Sequence, residues 1–164
     1  MYTKQILLGL AASITLMNCA SAAQANASIP LKNTSSLLQD ERMQVVKQYI
    51  IDLQKADYKD ITRLFEKNGI VVSTSRGKVN AKDFFYAFLP NIQLASTQLN
   101  QTFMSDSDGN RMAARFHFIF KLKDGEEGSG EYVDEFVFSN NSSKLSSVYM
   151  FENLKFKNEM NIEN

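Results

Sequence analysis

Residues 45–74 read VVKQYIIDLQKADYKDITRLFEKNGIVVST, and this stretch decides the first half of the fold. With the residues just before it, it repeats apolar side chains at the spacing of one helical face: Leu38, Met43, Val46, Tyr49, Ile50 and Leu53. The spacing predicts a helix that ends near Lys55. Asp57 is placed to cap a second helix, which we expect to end at Gly69. The β-branched run at 70–74 then predicts a short strand.

The remainder of the chain predicts one more helix followed by strands. Asn80 is expected to cap a helix over 81–89, which Pro90 stops. Segments of strand composition, separated by turn-forming residues, predict strands at 92–104, 111–123, 131–139 and 144–156, with a loop at 124–130. This order indicates an α+β fold in which three N-terminal helices pack in the concave face of a strongly curved antiparallel sheet.

Side-chain alternation in two of these strands predicts which face is buried. The inward sets are Met112, Ala114, Phe116, Phe118, Phe120 and Leu122 in the first strand, and Tyr132, Asp134, Phe136 and Phe138 in the second. Asp134 therefore falls on an aromatic, inward face. A carboxyl group there needs a hydrogen-bond partner or a raised pKa. Asp134 is thus either a site residue or a satisfied structural carboxylate.

Composition excludes several kinds of function. The 164 residues carry 18 Lys plus Arg and 18 Asp plus Glu, whereas a nucleic-acid-binding surface needs a basic excess. One cysteine and one histidine exclude a disulfide scaffold within the chain and a zinc site built from several cysteines. We predict no nucleic-acid partner, no metal site and no cofactor. The 12 Phe and the 44% apolar fraction are enough for a core.

The first 22 residues have the pattern of a signal peptide. Lys4 precedes an apolar run over 6–17, and small residues follow it. That run is shorter than the ~20 residues that span a bilayer, so we predict export to the periplasm or the medium without a membrane span. A lipid anchor at Cys19 is an alternative, although Asn18 stands where lipoprotein signals have a small residue. The predicted segments are a signal peptide at 1–22, a flexible leader at 23–36, a domain at 37–156 and a disordered tail at 157–164.

The order of elements and the stretch 45–74 resemble the nuclear-transport-factor-2-like superfamily, which includes ketosteroid isomerases, SnoaL-like polyketide cyclases and uncharacterised bacterial domains. The late pattern of Asp134, Phe136, Phe138, Lys144 and Leu145 is also similar to that superfamily. The resemblance covers about residues 37–156. It implies a cone-shaped α+β fold with one deep apolar pocket, and a homodimer formed through the outer face of the sheet.

The resemblance also implies roles for individual residues. Tyr49 and Asp134 match the tyrosine and the protonated aspartate that bind the substrate oxygen in ketosteroid isomerases. Tyr86 matches a pocket tyrosine on the third helix. The catalytic base of those enzymes falls on Ser73 or Thr74, and neither hydroxyl is a base near neutral pH without an activator.

Three hypotheses for function follow from these matches. The first is binding of a small, mostly apolar ligand by Tyr49, Tyr86, Asp134, Phe65, Phe85, Phe88, Phe116, Phe118 and Met150. The second is an isomerase, cyclase or dehydratase in which Asp134 and Tyr49 polarise a substrate oxygen and Asp52 or Glu152 is the base. The third is a protein-interaction module that dimerises and whose cone is filled by side chains. The missing carboxylate at Ser73 favours binding over catalysis, and the aromatic residues are equally expected in an ordinary core.

Overall fold

The computed structural model describes residues 34–156, so the predicted signal peptide, most of the predicted leader and the predicted tail lie outside the described residues. Its helices are α1 (Thr34–Lys55), α2 (Tyr58–Arg63), α3 (Ala81–Phe88) and a 3-10 turn (Leu89–Asn91). The first helix ends where the apolar spacing predicts, but it begins inside the segment expected to be leader. Within residues 34–156, no helix combines the length and the apolarity needed to cross a bilayer.

Two predicted helix caps are confirmed. The Asp57 carboxylate accepts hydrogen bonds from the backbone N–H groups of Lys59 and Asp60, at 3.0 and 3.1 Å. The Asn80 side chain accepts one from the N–H of Lys82 at 3.0 Å. These bonds satisfy donors that a helix N-terminus leaves unpaired. They fix where α2 and α3 begin.

The strands form a single curved, open sheet over the described residues. They are β1 (Phe65–Ser73), β2 (Gly77–Asn80), β3 (Ile92–Met104), β4 (Arg111–Leu122), β5 (Glu127–Phe138) and β6 (Leu145–Phe156), in the order β2-β1-β6-β5-β4-β3. Neighbours are antiparallel except β1 and β6, which are parallel. The register of β3 against β4 shifts twice, which bends this edge of the sheet. The predicted α+β architecture, with helices packed on a curved sheet, is confirmed.

Two predicted boundaries are wrong, each at a glycine. Helix α2 ends at Arg63, and Gly69 lies inside β1. The strand begins this early because Leu64 accepts a hydrogen bond from the N–H of Leu145, and Phe65 then pairs with Leu145 of β6. Strand β5 begins at Glu127 within the segment expected to be a loop. Gly128 is a strand residue because it pairs with Phe120 of β4 and Phe156 of β6, and an added Cβ there would clash with the ring of Phe120.

The predicted burial alternation in β4 and β5 is confirmed. Even-numbered residues from Met112 to Phe120 and from Tyr132 to Phe138 are buried, whereas Arg115 and Glu131 on the other face are exposed. The inner face and the helices share one apolar core. The inside of the sheet is therefore the place where a buried polar side chain is informative.

Arg42 ties α1 to two loops at one end of the sheet. Its guanidinium donates to the backbone oxygens of Gly109 at 2.6 Å, Ser139 at 2.9 Å and Ser142 at 2.9 Å. It also lies over the ring of Phe138, 5.2 Å from the centroid. The Arg42 side chain is only 3% exposed. These hydrogen bonds allow a basic residue to be buried, because they satisfy the donors of its guanidinium.

Candidate functional site

A cavity of about 430 Å³ lies between the helices and the inner face of the sheet. This volume falls in the range of small-molecule sites, so the hypothesis of a cone filled by side chains is wrong. The cavity is lined by Tyr49, Leu53, Thr74, Ser75, Arg76, Phe84, Phe85, Phe88, Phe116, Phe118, Phe120, Leu122, Glu126, Tyr132, Asp134, Met150 and Glu152.

Tyr49 and Asp134 meet at a buried position in this cavity. The Tyr49 hydroxyl donates to Oδ2 of Asp134 at 3.1 Å, across 85 positions of the chain. The alternation of β5 points Asp134 inward, and the apolar stripe of α1 points Tyr49 toward it. Two edge-to-face ring contacts, with Phe85 and Phe136 at centroid distances of 5.9 and 5.0 Å, hold the Tyr49 ring in place.

The second oxygen of Asp134 is an unsatisfied hydrogen-bonding group. Oδ1 is fully buried and has no hydrogen-bond partner among residues 34–156. Burial away from water raises the pKa of Asp134 well above its ordinary value, the charge of Glu152 raises it further, and the Tyr49 hydrogen bond opposes both effects. A neutral carboxyl that accepts at Oδ2 carries its proton on Oδ1. In that form Asp134 has one hydrogen-bond donor that its contact with Tyr49 does not use.

Burial also keeps the Tyr49 hydroxyl protonated. Desolvation raises the pKa of Tyr49 well above its ordinary value, and the nearby carboxyl group of Asp134 adds to the effect. Tyr49 is therefore a neutral donor rather than a phenolate. The pair matches the arrangement that the sequence resemblance implies for these two residues, although here the Tyr49 proton is directed at Asp134.

Glu152 is a second carboxyl group in the cavity, closer to solvent. It stands on β6 opposite Tyr132 of β5. Partial burial raises the pKa of Glu152, and the nearby hydroxyl of Thr74 acts in the opposite direction. Of the two acids that the sequence suggests as a base, Glu152 lines the cavity. Asp52 does not, since it is buried on α1, where Gln48 donates to it at 2.6 Å.

Exposed polar residues mark the mouth of the cavity. Ser75 and Arg76 come from the turn between β1 and β2, and Glu126 comes from the turn between β4 and β5. The Arg76 guanidinium lies over the ring of Phe84, 5.7 Å from the centroid. The ring of Phe84 therefore positions a cation at the entrance.

The structure brings seven of the nine predicted ligand-binding residues to this cavity. Besides Tyr49 and Asp134, these are Phe85, Phe88, Phe116, Phe118 and Met150. At the position where the resemblance implies a base, Thr74 lines the cavity and Ser73 does not. The Ser73 hydroxyl instead accepts from the N–H of Arg76 at 3.2 Å.

The prediction that Tyr86 and Phe65 line the pocket is wrong. Tyr86 is 63% exposed and packs on Tyr58 with ring centroids 5.4 Å apart. It follows the inward residue Phe84 by two positions, which is about 200° around a helix. Phe65 is buried, but it lies in the core against Phe85 at 5.8 Å, outside the cavity.

Several lining residues were not predicted as site residues. Phe120 and Tyr132 belong to the inward sets of β4 and β5, so the alternation already contained the signal that places them here. Phe84 could have been found from the helical spacing between Ala81 and Phe88. Nothing in the sequence pattern indicates Glu126, because the turn that carries it meets the turn at Arg76 only in the folded chain.

Known proteins match this chain in structure. No protein-family model matches the sequence, and no curated protein matches it either. An NTF2-like protein of unknown function from Exiguobacterium sp. 255-15 has a TM-score of 0.55 and 14% identity, over 66% of this chain and 98% of that one. This chain has the NTF2-like fold.

Two other solved structures with the fold are an enzyme and a designed binder. The epoxide hydrolase/cyclase-like enzyme SalBIII, with a role in pyran ring formation in salinomycin, has a TM-score of 0.58 and 17% identity, over 70% of this chain and 94% of that one. A computationally designed 17-OHP binder has a TM-score of 0.59 and 10% identity, over 71% and 98%. At these identities the likeness shows the NTF2-like fold alone.

Proposed function

We propose that this chain binds a small, mostly apolar organic molecule in the cavity, with an oxygen of the ligand at Asp134. The observation that carries the proposal is the buried, unpartnered Oδ1 of Asp134 in an otherwise mostly aromatic cavity. A buried donor without a partner costs free energy, and a ligand carbonyl would accept from it. The fold is used by a protein designed to bind 17-OHP and by an enzyme with a role in pyran ring formation, which supports an organic ligand.

The first test is native mass spectrometry of the purified protein, which would detect a co-purified small molecule. A second test titrates the fluorescent naphthyl ketone prodan into the protein. We expect Asp134→Leu to weaken binding about tenfold, the value of one hydrogen bond in a dry site. Asp83→Leu is the matched control, because Asp83 is exposed on α3 and outside the cavity. Equal affinity of the wild type and Asp134→Leu would refute the proposal.

A second candidate function is proton transfer on a bound ketone. The observation in its favour is that Glu152 lines the same cavity as Asp134. The Glu152 carboxylate would take a proton from the carbon next to the carbonyl, and the electron pair of that C–H bond would move into a C=C bond. Asp134 would donate to the oxygen on which charge develops, and Tyr49, which donates to Asp134, would hold that carboxyl in place.

Deuterium incorporation tests this candidate. A ketone incubated with the protein in D₂O should gain mass at the carbon next to the carbonyl, and Glu152→Gln should abolish the gain. A gain that survives in Glu152→Gln would exclude Glu152 as the base. No gain with any bound ketone would leave binding as the function.

We also propose that two copies associate through the outer face of the sheet. Val133 and Phe151 are partners on β5 and β6, and both are exposed on that face. Light scattering after gel filtration should give the mass of a dimer for the wild type and of a monomer for Phe151→Asp. Leu37→Asp is the control, since Leu37 is exposed on α1 rather than on the sheet. A monomeric wild type would refute the proposal.

Export is the last part of the proposed function. The pattern over residues 1–22 supports it. Intact-mass measurement of the protein from a bacterial periplasm should show an N-terminus at Ala23. A chain that keeps Met1 would contradict a cleaved signal, and added lipid mass on Cys19 would instead indicate an anchor.

A further inference from the structure

We infer that the ligand of this cavity is held at two points along one edge, with a carbonyl-type oxygen at Asp134 and a hydroxyl group at Glu152. The inference rests on the proposed binding function and adds the chemical class of the ligand. That class is a neutral, oxygenated ring compound that carries one hydrogen-bond acceptor and one hydrogen-bond donor.

The register of β5 and β6 places the two carboxyl groups on one wall. Asp134 is the partner of Met150, and Tyr132 is the partner of Glu152. Glu152 is therefore the diagonal neighbour of Asp134 on the same face, at a backbone separation of roughly 7–8 Å. Both side chains line the cavity, and so does Tyr132, whose ring stacks on Phe116 of β4. We call Asp134, Tyr132 and Glu152 together the polar edge of the cavity.

Away from its polar mouth, the rest of the cavity lining is mostly apolar. Among the described residues, the phenylalanines that line the cavity are Phe84, Phe85, Phe88, Phe116, Phe118 and Phe120, and they come from α3 and β4. Their rings can pack against the faces of a ring system. A ligand that buries itself among them must direct its oxygen atoms toward the polar edge, because burying an oxygen without a partner is costly.

The two ends of the polar edge differ in hydrogen-bonding chemistry. Asp134 is fully buried and its Oδ1 has no partner among the described residues. Burial raises its pKa well above the ordinary value and so favours the neutral carboxyl, which donates from Oδ1 to an acceptor on the ligand. Glu152 is half-buried and keeps part of its surface in water, so its carboxyl oxygens can accept from a donor on the ligand. A carbonyl at one end and a hydroxyl at the other satisfy both groups. For such a ligand Glu152 is occupied by the hydroxyl and cannot also take a carbon-bound proton.

Calorimetric titration of three bicyclic probes tests the inference on the wild-type protein. The probes are 6-hydroxy-1-tetralone, which has both oxygen groups, 1-tetralone, which lacks the hydroxyl, and tetralin, which lacks both. We expect Kd to rise about tenfold when the hydroxyl is removed and by a further factor of about ten when the carbonyl is removed, since each change deletes one buried hydrogen bond.

Repeating the titrations on variants separates the two contact points. In Glu152→Leu, 6-hydroxy-1-tetralone and 1-tetralone should bind equally, whereas Glu66→Leu should keep the tenfold difference because Glu66 is exposed on β1. An equal difference in the wild type and Glu152→Leu overturns the inference. So does a wild type that does not discriminate between these probes, and that result stands even if Glu152→Leu fails to fold.

The proposed function can fail independently of this inference. If 1-tetralone binds the wild type and loses affinity in Asp134→Leu while the hydroxyl adds nothing, only the two-point inference is overturned. If none of the three probes binds the wild type, both are overturned.

Discussion

Replacing Asp134 with asparagine should change how the stability of this protein depends on pH. Burial raises the pKa of Asp134 well above its ordinary value in the folded chain, whereas in the unfolded chain an aspartate titrates near a pKa of about 3.9. Asparagine has the same shape, can accept the Tyr49 hydrogen bond, and does not titrate. The wild type and Asp134→Asn therefore differ by one titrating group, the carboxyl of Asp134.

The sign of the effect follows from which state holds the proton of that carboxyl. Above a pH of about 4 the unfolded wild type has released it and the folded wild type has kept it, so rising pH favours unfolding. The stabilisation from the neutral carboxyl is complete below the unfolded pKa and is lost as pH rises through the raised folded pKa. The loss amounts to about 1.4 kcal/mol per pH unit while the folded chain keeps the proton. Between pH 5 and pH 7 the free energy of unfolding of Asp134→Asn should therefore rise relative to that of the wild type.

Urea unfolding at pH 5, 6 and 7 measures this difference directly. Other groups titrate in both proteins and cancel, including Glu152, which faces a neutral side chain at position 134 in either case. Asp83→Asn is the control and should show no pH-dependent difference, because Asp83 is exposed. A difference between Asp134→Asn and the wild type that is the same at all three pH values would refute the reasoning, since it would mean that the folded chain holds Asp134 ionised.

Three further predictions concern stability and the shape of the cavity. Arg42→Met should lower the free energy of unfolding by about 3 kcal/mol, as three hydrogen bonds to backbone oxygens are lost, and an unchanged urea midpoint would contradict this. Asp57→Ala should cost about 1 kcal/mol through loss of the α2 cap, measured in the same way, and a neutral result would show that packing alone fixes α2. Gly128→Ala should displace the Phe120 ring, which an added Cβ would approach to 2.4 Å. Prodan affinity should fall in that variant, and unaltered affinity would mean that the backbone rather than the ring moves.

The inner face of the sheet could be predicted from sequence because a strand has a fixed period of two. The alternation in β4 and β5 placed Phe116, Phe118 and Asp134 correctly without any knowledge of pairing partners. Tyr49 followed from the helical stripe of α1 in the same way. Once one face of a strand or helix is apolar, the spacing of residues along that element is enough to predict which of them are buried.

The remaining features depend on contacts between distant segments. Gly69 and Gly128 look like the ends of elements, but pairing with neighbouring strands includes both of them in strands. Only the family resemblance places Tyr86 in the pocket. Its position around the helix α3, relative to the inward residue Phe84, places it in solvent. The use of Glu152 as a cavity residue depends on the register of β6 against β5, which no local pattern specifies.

The parallel pairing of β1 with β6 has a consequence for how the chain folds. Its partners, such as Val71 and Val148, are separated by most of the domain, and Tyr49 must likewise meet Asp134 across 85 positions. Closing such distant contacts is slow, because chain entropy is lost before the contacts form. During synthesis α1, α2 and β1 leave the ribosome well before β6 exists. The apolar faces of these early elements therefore stay uncovered until β6 is made, and the cavity is completed only when that strand pairs.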